Sequence, residues 1–432
     1  MKNSIQDRNV EINLMEKNMN YEIVQSLAKS CGGAFFLLDL DQLEKNYHKM
    51  NQAFKKHYDN FIVAYSYKTN YLPALCTKLI SLGAYSEVVS RLEYDLALRL
   101  GENGKHIIFN GPIKSKEDIY FALQQESIIN LDSFYEIDYV KQYASENPSR
   151  PISLGIRVNF ALIEDGESIL QDGYDVSRFG FSVENGDLER AIYELKKIAQ
   201  VKVIGLHGHF STKTRSLSSY RYKTERLCQL AKKYINETLQ FIDIGGGIYG
   251  ELPKSFKRTV PSFDDYAAAI GTVMRKEFAG ESNKPALILE PGVSMVANTM
   301  SFACQVIEHK RVQGTSFILV DGSAYNIKPT MHKSNLPFKI VAKNHNAKLE
   351  HLYHIVGYTC MERDYLAHNV QGTLPQQGDY LIFEQVGAYT LVLNPLFIKE
   401  RPAVVAREKG HAFLIRKKET LADAFNENIY RF

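Results

Sequence analysis

The stretch Phe61-Ile62-Val63-Ala64-Tyr65-Ser66-Tyr67-Lys68-Thr69-Asn70 opens on five apolar residues and runs into an ammonium. Short runs rich in Val, Ile, Phe and Leu follow at Ala84–Val89, His106–Phe109, Ser127–Leu131, Ile152–Val158, Val203–His209, Leu239–Ile244 and Ala286–Leu289, eight in all. Between them the apolar residues take helical spacing, as in Leu72, Leu75 and Leu79, or Leu188, Ala191, Ile192, Leu195 and Ile198. Strands apolar on both faces, alternating with helices eight times, specify an α/β fold built as a closed parallel (β/α)8 TIM barrel. An open doubly wound sheet, which usually has fewer strands, is the competing architecture. The long spacing between the fifth and sixth runs places an inserted active-site loop at Ala161–Asp175, which is acidic and contains glycine.

Beyond Glu290 the pattern changes. The runs Ala303–Ile307, Ser316–Val320, His351–Val356, Asp379–Phe383 and Thr390–Leu393 are short, alternate more and are separated by turns, so a mainly antiparallel β domain, barrel or sandwich, is expected there. Ala34–Asp39 precedes the first barrel strand and is expected to pair with that second domain. The expected division is 42–298 for the barrel, 21–41 with 299–432 for the β domain, and 1–20 as a flexible, polar N-terminal extension.

Composition narrows the class. A net charge of +3 is small against 52 basic and 49 acidic residues, which gives no reason to expect nucleic acid or an anionic membrane as partner. Five scattered cysteines without a Cys-x-x-Cys pair fit a reducing compartment better than a disulfide scaffold or a zinc site. Met1–Asn20 lacks a continuous apolar segment, so neither a secretory signal nor a membrane span is expected. The reading is a cytoplasmic protein of small-molecule chemistry.

A barrel places its chemistry just past the C-terminal ends of its strands. Those ends carry Lys68, Ser90, Asn110, Asp132, Arg157 with Asn159, His207 with His209, Asp243-Ile244-Gly245-Gly246-Gly247, and Glu290-Pro291-Gly292. Each alone reads equally well as a turn residue. An amine beside a low-dielectric core loses charge more easily and becomes a nucleophile suited to a carbonyl, although a strand-end lysine is commonly a solvated one. Successive glycines let backbone N–H groups approach an anion, and the loops after strands seven and eight are where barrels often bind phosphate; a plain flexible turn is the alternative. A cofactor bearing both a phosphate and an aldehyde unites these features, and pyridoxal 5'-phosphate is such a cofactor. Glu290 then suits the ring nitrogen and His209 the ring face. His207 and His209, two apart on a strand, point the same way, so a metal pair is the rival. No third ligand at a familiar spacing supports it, and no metal is expected.

In these residues the chain resembles the fold-type III pyridoxal-phosphate decarboxylases, the group of diaminopimelate decarboxylase and eukaryotic-type ornithine decarboxylase. The matching segments, in family order, are Tyr65–Asn70, Val88-Val89-Ser90, Arg157-Val158-Asn159, Ser177–Gly180, Leu206–His209, Asp243–Gly247, Glu290–Gly292, Cys360 with Asp364, and Gly387-Ala388-Tyr389. The resemblance implies an alanine-racemase-like barrel, covalent attachment of pyridoxal phosphate to Lys68, stacking by His209, a ring-nitrogen contact from Glu290, and a phosphate held by Gly245, Gly246, Gly247 and Gly292. It also implies a head-to-tail homodimer in which Cys360, as proton donor, and Tyr389, at the phosphate, come from the neighbouring chain. Without the resemblance Cys360 reads equally as a small buried hydrophobe.

The departures bear on substrate. Val293 stands where diaminopimelate decarboxylases have arginine after Glu-Pro-Gly. Lys328-Pro329 and His332 replace the Arg-Pro and tyrosine that grip the distal carboxylate, and Met361 replaces the acid that receives the distal amine. These substitutions predict decarboxylation of a modified, less charged or larger amino acid, in a specialised biosynthesis. A racemase or eliminase would need a second base, and Cys360 with Asp364 argues against it. A non-catalytic pyridoxal-phosphate-binding protein would be the barrel alone.

Overall fold

The computed structural model describes residues 12–13, 19–164, 167–281, 284–332, 334–343 and 350–432. They fall into two compact units, one of residues 44–252 and 257–295, the other of 1–43, 253–256 and 296–432.

In the first unit eight parallel strands close on themselves: Phe61–Ser66, Tyr85–Val88, Ile107–Phe109, Ile128–Leu131, Ile152–Asn159, Val201–His207, Phe241–Asp243 and Ala286–Leu289, the last pairing back onto the first. Closure follows from burial on both faces, because a strand apolar all round has no side to give to water. Ala64, Ile108, Ile204, Phe241 and Ile288 pack together inside the barrel. Two glycines make room for Phe241: a Cβ at Gly205 would lie 2.3 Å from its ring, and one at Gly155 would lie 2.8 Å away. The helices face the strands with their apolar stripes, as Asp187–Lys196 does through Leu188, Ala191, Ile192 and Leu195. Reciprocal side-chain caps start several of them, for example Ser115 with Asp118 and Ser262 with Asp265. Within the expected loop at Ala161–Asp175, Ile163–Glu164 pairs with Glu167–Ser168, while residues 165 and 166 lie outside the described residues.

The second unit is built on a ten-stranded sheet. Its long strand Met300–Val312 pairs antiparallel with Phe35–Asp39, Thr315–Val320 and Tyr380–Phe383, so the run before the barrel joins the β unit as expected. Two pairings are parallel, Phe35–Asp39 with Ala403–Glu408 and Thr315–Val320 with Glu350–Val356. Thr390–Leu393, expected as a strand, is instead one turn of helix. Tyr389 enters it in the left-handed conformation, φ 59°, and Pro395 follows, which denies the segment an extended ladder. Phe338–Val341, Tyr365–Thr373, Ala403–Glu408 and His411–Arg416 are strands the apolar runs did not mark. Tyr365–Thr373 shows why: its residues alternate in exposure and include His368, Asn369, Gln371 and Gly372. The expected extension 1–20 lies mostly outside the described residues, and within it Ile12–Asn13 pairs with Ala412 and His411. Among the described residues no helix is long and apolar enough to cross a membrane.

Candidate active site

Lys68 sits in a single 3₁₀ turn, Tyr67–Thr69, directly after the first barrel strand. Beyond the strand ends, the Ser66 amide donates to the Pro291 carbonyl at 3.1 Å, which joins the first and eighth strands at this mouth. The two segments also interlock, since a Cβ on Gly292 would lie 2.1 Å from Thr69 Oγ1. Glycine is therefore required there by close approach. The Lys68 ammonium does not face an apolar wall alone: its Nζ lies 2.5 Å from Glu87 Oε2. Glu87 is buried, and the same oxygen accepts from the Ser66 hydroxyl. Asn110, at the end of the third strand, donates from Nδ2 to Glu290 Oε1 at 2.5 Å and to Glu87 Oε1 at 3.1 Å.

Glu290 is buried in this mouth with His207 Nε2 3.3 Å from its other oxygen. Burial alone would raise the Glu290 carboxyl, but the nearby His207 and the Lys68 ammonium outweigh it and hold the group well below the usual carboxylate range. Asp243 moves the opposite way, raised by burial and then by Glu290. Of this carboxyl pair Asp243 keeps the proton and Glu290 the charge. His207, Asp243 and Glu290 bring possible ligand atoms within 4.8 Å of one another, so His207 groups with carboxylates rather than with His209.

His209 lies past the end of the sixth strand. Burial, and then the Arg157 guanidinium, push its imidazole well below the ordinary histidine value, so the ring is neutral and Nδ1 accepts from the Gly246 amide at 3.0 Å. The triglycine turn wraps around it. A Cβ on Gly245 would lie 2.6 Å from the His209 Cβ, and one on Gly246 would lie 2.2 Å from the Glu290 carbonyl oxygen. Gly245 and Gly247 have φ of 64° and 94°. The Gly245 amide donates to Asp243 Oδ1 at 2.9 Å, whereas the Gly247 amide has no hydrogen-bond partner among the described residues. From behind, Tyr220 Oη donates to the Gly246 carbonyl at 2.8 Å and Lys223 Nζ to the Ile244 carbonyl at 2.6 Å.

The remaining expected residues, apart from Val293, belong to the β unit. Cys360 is exposed, not the buried hydrophobe that the sequence equally allowed. Buried Asp364 holds its loop: it accepts from the amides of Ala324 at 2.7 Å and Thr359 at 3.0 Å and from the Ser323 hydroxyl at 3.0 Å. The Ser323 to Ile327 turn leads into Lys328, which is 3 % exposed and whose Nζ has no hydrogen-bond partner among the described residues. Burial lowers the Lys328 ammonium; partial burial and then Lys328 lower His332. Tyr325 Oη lies 3.3 Å from Met361 Sδ. Tyr389 and Val293 are 38 % and 36 % exposed.

Residues 40–297 match the family model described as "pyridoxal-dependent decarboxylase, pyridoxal binding domain". The chain belongs to the pyridoxal-dependent decarboxylases. The diaminopimelate decarboxylase of Methanocaldococcus jannaschii is 28 % identical, with 95 % of this chain and 94 % of that one covered. That of Aquifex aeolicus is 26 % identical, over 92 % and 91 %. A crystal structure of the M. jannaschii enzyme superposes with a TM-score of 0.85 at 27 % identity, covering 94 % of each chain. The fold likeness extends to the arginine decarboxylase of Paramecium bursaria Chlorella virus, with a TM-score of 0.71 at 20 % identity over 88 % and 97 % of the chains.

This decarboxylase acts on an amino acid and uses pyridoxal phosphate. Its residues fit that group: an amine and a buried ionised carboxylate share one mouth, and the glycine turn presents the Gly247 amide without a hydrogen-bond partner among the described residues. Glu87 is the residue that reading the sequence missed. Its signal was an acid inside an otherwise apolar run, Tyr85-Ser86-Glu87-Val88.

Proposed function

We propose that this decarboxylase removes the α-carboxylate from an amino acid whose far end carries an anionic group and no free ammonium. The observation that carries this reading is Lys328, buried with no hydrogen-bond partner for its Nζ among the described residues, in the same unit as Met361, which offers no charge to an amine. An unpaired buried ammonium is costly in the free protein and gains most from an anion. As a point charge it holds a carboxylate less selectively than the fork of an arginine.

Lys68 is the attachment point of the cofactor, and Glu87 and Ser66 fix where its nitrogen stands. Glu290 faces the ring nitrogen as a carboxylate, with Asp243 holding the neighbouring proton. His209, neutral and tied to Gly246, covers the ring face. The Gly247 amide would hold the phosphate, Gly245 and Gly246 shape the turn, and Gly292 keeps the facing loop close. Pyridoxal phosphate supplies the ring that takes up the electron pair when the bond from Cα to the carboxylate breaks. Cys360 of the partner subunit donates the proton that replaces the departing carbon dioxide at Cα, and Tyr389 of the partner subunit reaches the phosphate. Exposure of Cys360 and Tyr389 in the single chain supports their role at a homodimer interface. Five free cysteines favour the cytoplasm.

Carbon dioxide release from diaminopimelate, ornithine and their distally N-acylated derivatives tests the substrate. The derivative that keeps the distal carboxylate and lacks the free amine is expected to have the highest kcat/KM. Preference for unmodified diaminopimelate contradicts the reading. Mixing inactive Lys68→Ala and Cys360→Ala proteins tests the shared site, and activity is expected to return only on mixing.

A further inference from the structure

Asn110 is buried at the centre of the barrel mouth, and its amide touches two acids that serve opposite ends of the site. Nδ2 donates to Glu290 Oε1 and to Glu87 Oε1, while Oδ1 accepts from Asn130 Nδ2 at 2.9 Å. Shape alone would let the amide sit either way round. Turned over, Oδ1 would face two carboxylates, so the two acids fix the orientation and Asn130 donates to the oxygen that remains. Asn130 is itself confined, because a Cβ on Gly155 would lie 2.0 Å from its Oδ1. The chain of contacts continues on the other side, where Glu87 Oε2 receives Lys68 Nζ.

We propose that Asn110 is a positioning residue that holds the Glu87 and Glu290 carboxylates side by side, so that Lys68 and the ring-nitrogen carboxylate are linked through one amide. The proposal rests on Lys68 and Glu290 having the roles given above. Two buried carboxylates near one another raise each other's proton affinity, and a donor to both offsets that. The other groups bearing on them are Lys68 after the first strand, Glu93 on the helix after the second, Arg157 on the fifth, His207 and His209 at the sixth, Lys223 on the helix after it, and Asp243 on the seventh. Asn110 stands between the two acids and donates to both.

Asn110→Leu keeps the volume and removes the donor; Asn130→Ala leaves Asn110 in place but removes the donor to its Oδ1, which loosens the amide. Each is loaded with pyridoxal phosphate, and the visible absorbance of the bound cofactor is followed against pH, with thermal melting as a check on folding. Loss of a donor to a carboxylate raises its proton affinity, so the absorbance midpoint of Asn110→Leu is expected to move up by about one pH unit, a tenfold change. Asn130→Ala should move it the same way by less, and it decides the matter if Asn110→Leu does not fold. Midpoints coinciding with wild type, in folded and loaded protein, overturn the proposal. Lys68→Ala run alongside separates the two layers: if that variant keeps the wild-type band, the role of Lys68 fails, and if it loses the band while the Asn variants do not shift, only the role of Asn110 fails.

Discussion

The two units treat buried cations in opposite ways. In the barrel unit Lys114 is fully buried against Glu136 at 2.9 Å and the Gly111 carbonyl at 2.7 Å, Arg157 has Asp132 at 3.5 Å and the His209 carbonyl at 3.2 Å, and Lys223 has the Ile244 carbonyl. In the β unit Lys328 is as buried as these and has no hydrogen-bond partner among the described residues. A mouth that always meets the same cofactor can be completed by its own side chains. Under the proposed function, Lys328 is the charge left for the ligand to neutralise.

The contrast can be broken by making one kind of substitution in each unit. Glu136→Leu strands the Lys114 ammonium in a dry site and is expected to cost roughly 3–5 kcal/mol in denaturant unfolding. A loss below about 1 kcal/mol would mean that Lys114 finds water or another partner and that the barrel charges are less interdependent than their geometry implies. Lys328→Met should do the reverse, stabilising the free protein by about 1 kcal/mol because an unpaired buried charge disappears. It should also raise KM for an anion-bearing substrate about tenfold. Destabilisation by Lys328→Met with an unchanged KM would place the Lys328 charge outside substrate recognition.

The barrel was legible because its strands are rich in apolar residues and end in a polar residue or glycine. The β unit was harder for a physical reason: strands such as Tyr365–Thr373 bury one face only, so polar residues break the run, while the apolar Thr390–Leu393 is diverted by Tyr389 and Pro395. In the mouth, strand ends drew attention to Lys68, Asn110, His209, Asp243 and Glu290. Their partnerships were not readable. Asn110 and Glu290 are 180 positions apart and meet only because the barrel closes. Glu87 was hidden inside its strand, and the pairing of Lys68 with a carboxylate replaced the apolar setting expected for the amine.

The central claim is that Lys68 anchors the cofactor on which decarboxylation runs. The direct measurement is carbon dioxide release together with the visible absorbance of the cofactor in purified wild type and Lys68→Ala, with the same amino-acid substrate. Lys68→Ala is expected to lose the band and at least about a thousandfold in turnover. A variant that keeps both the band and normal turnover would contradict it.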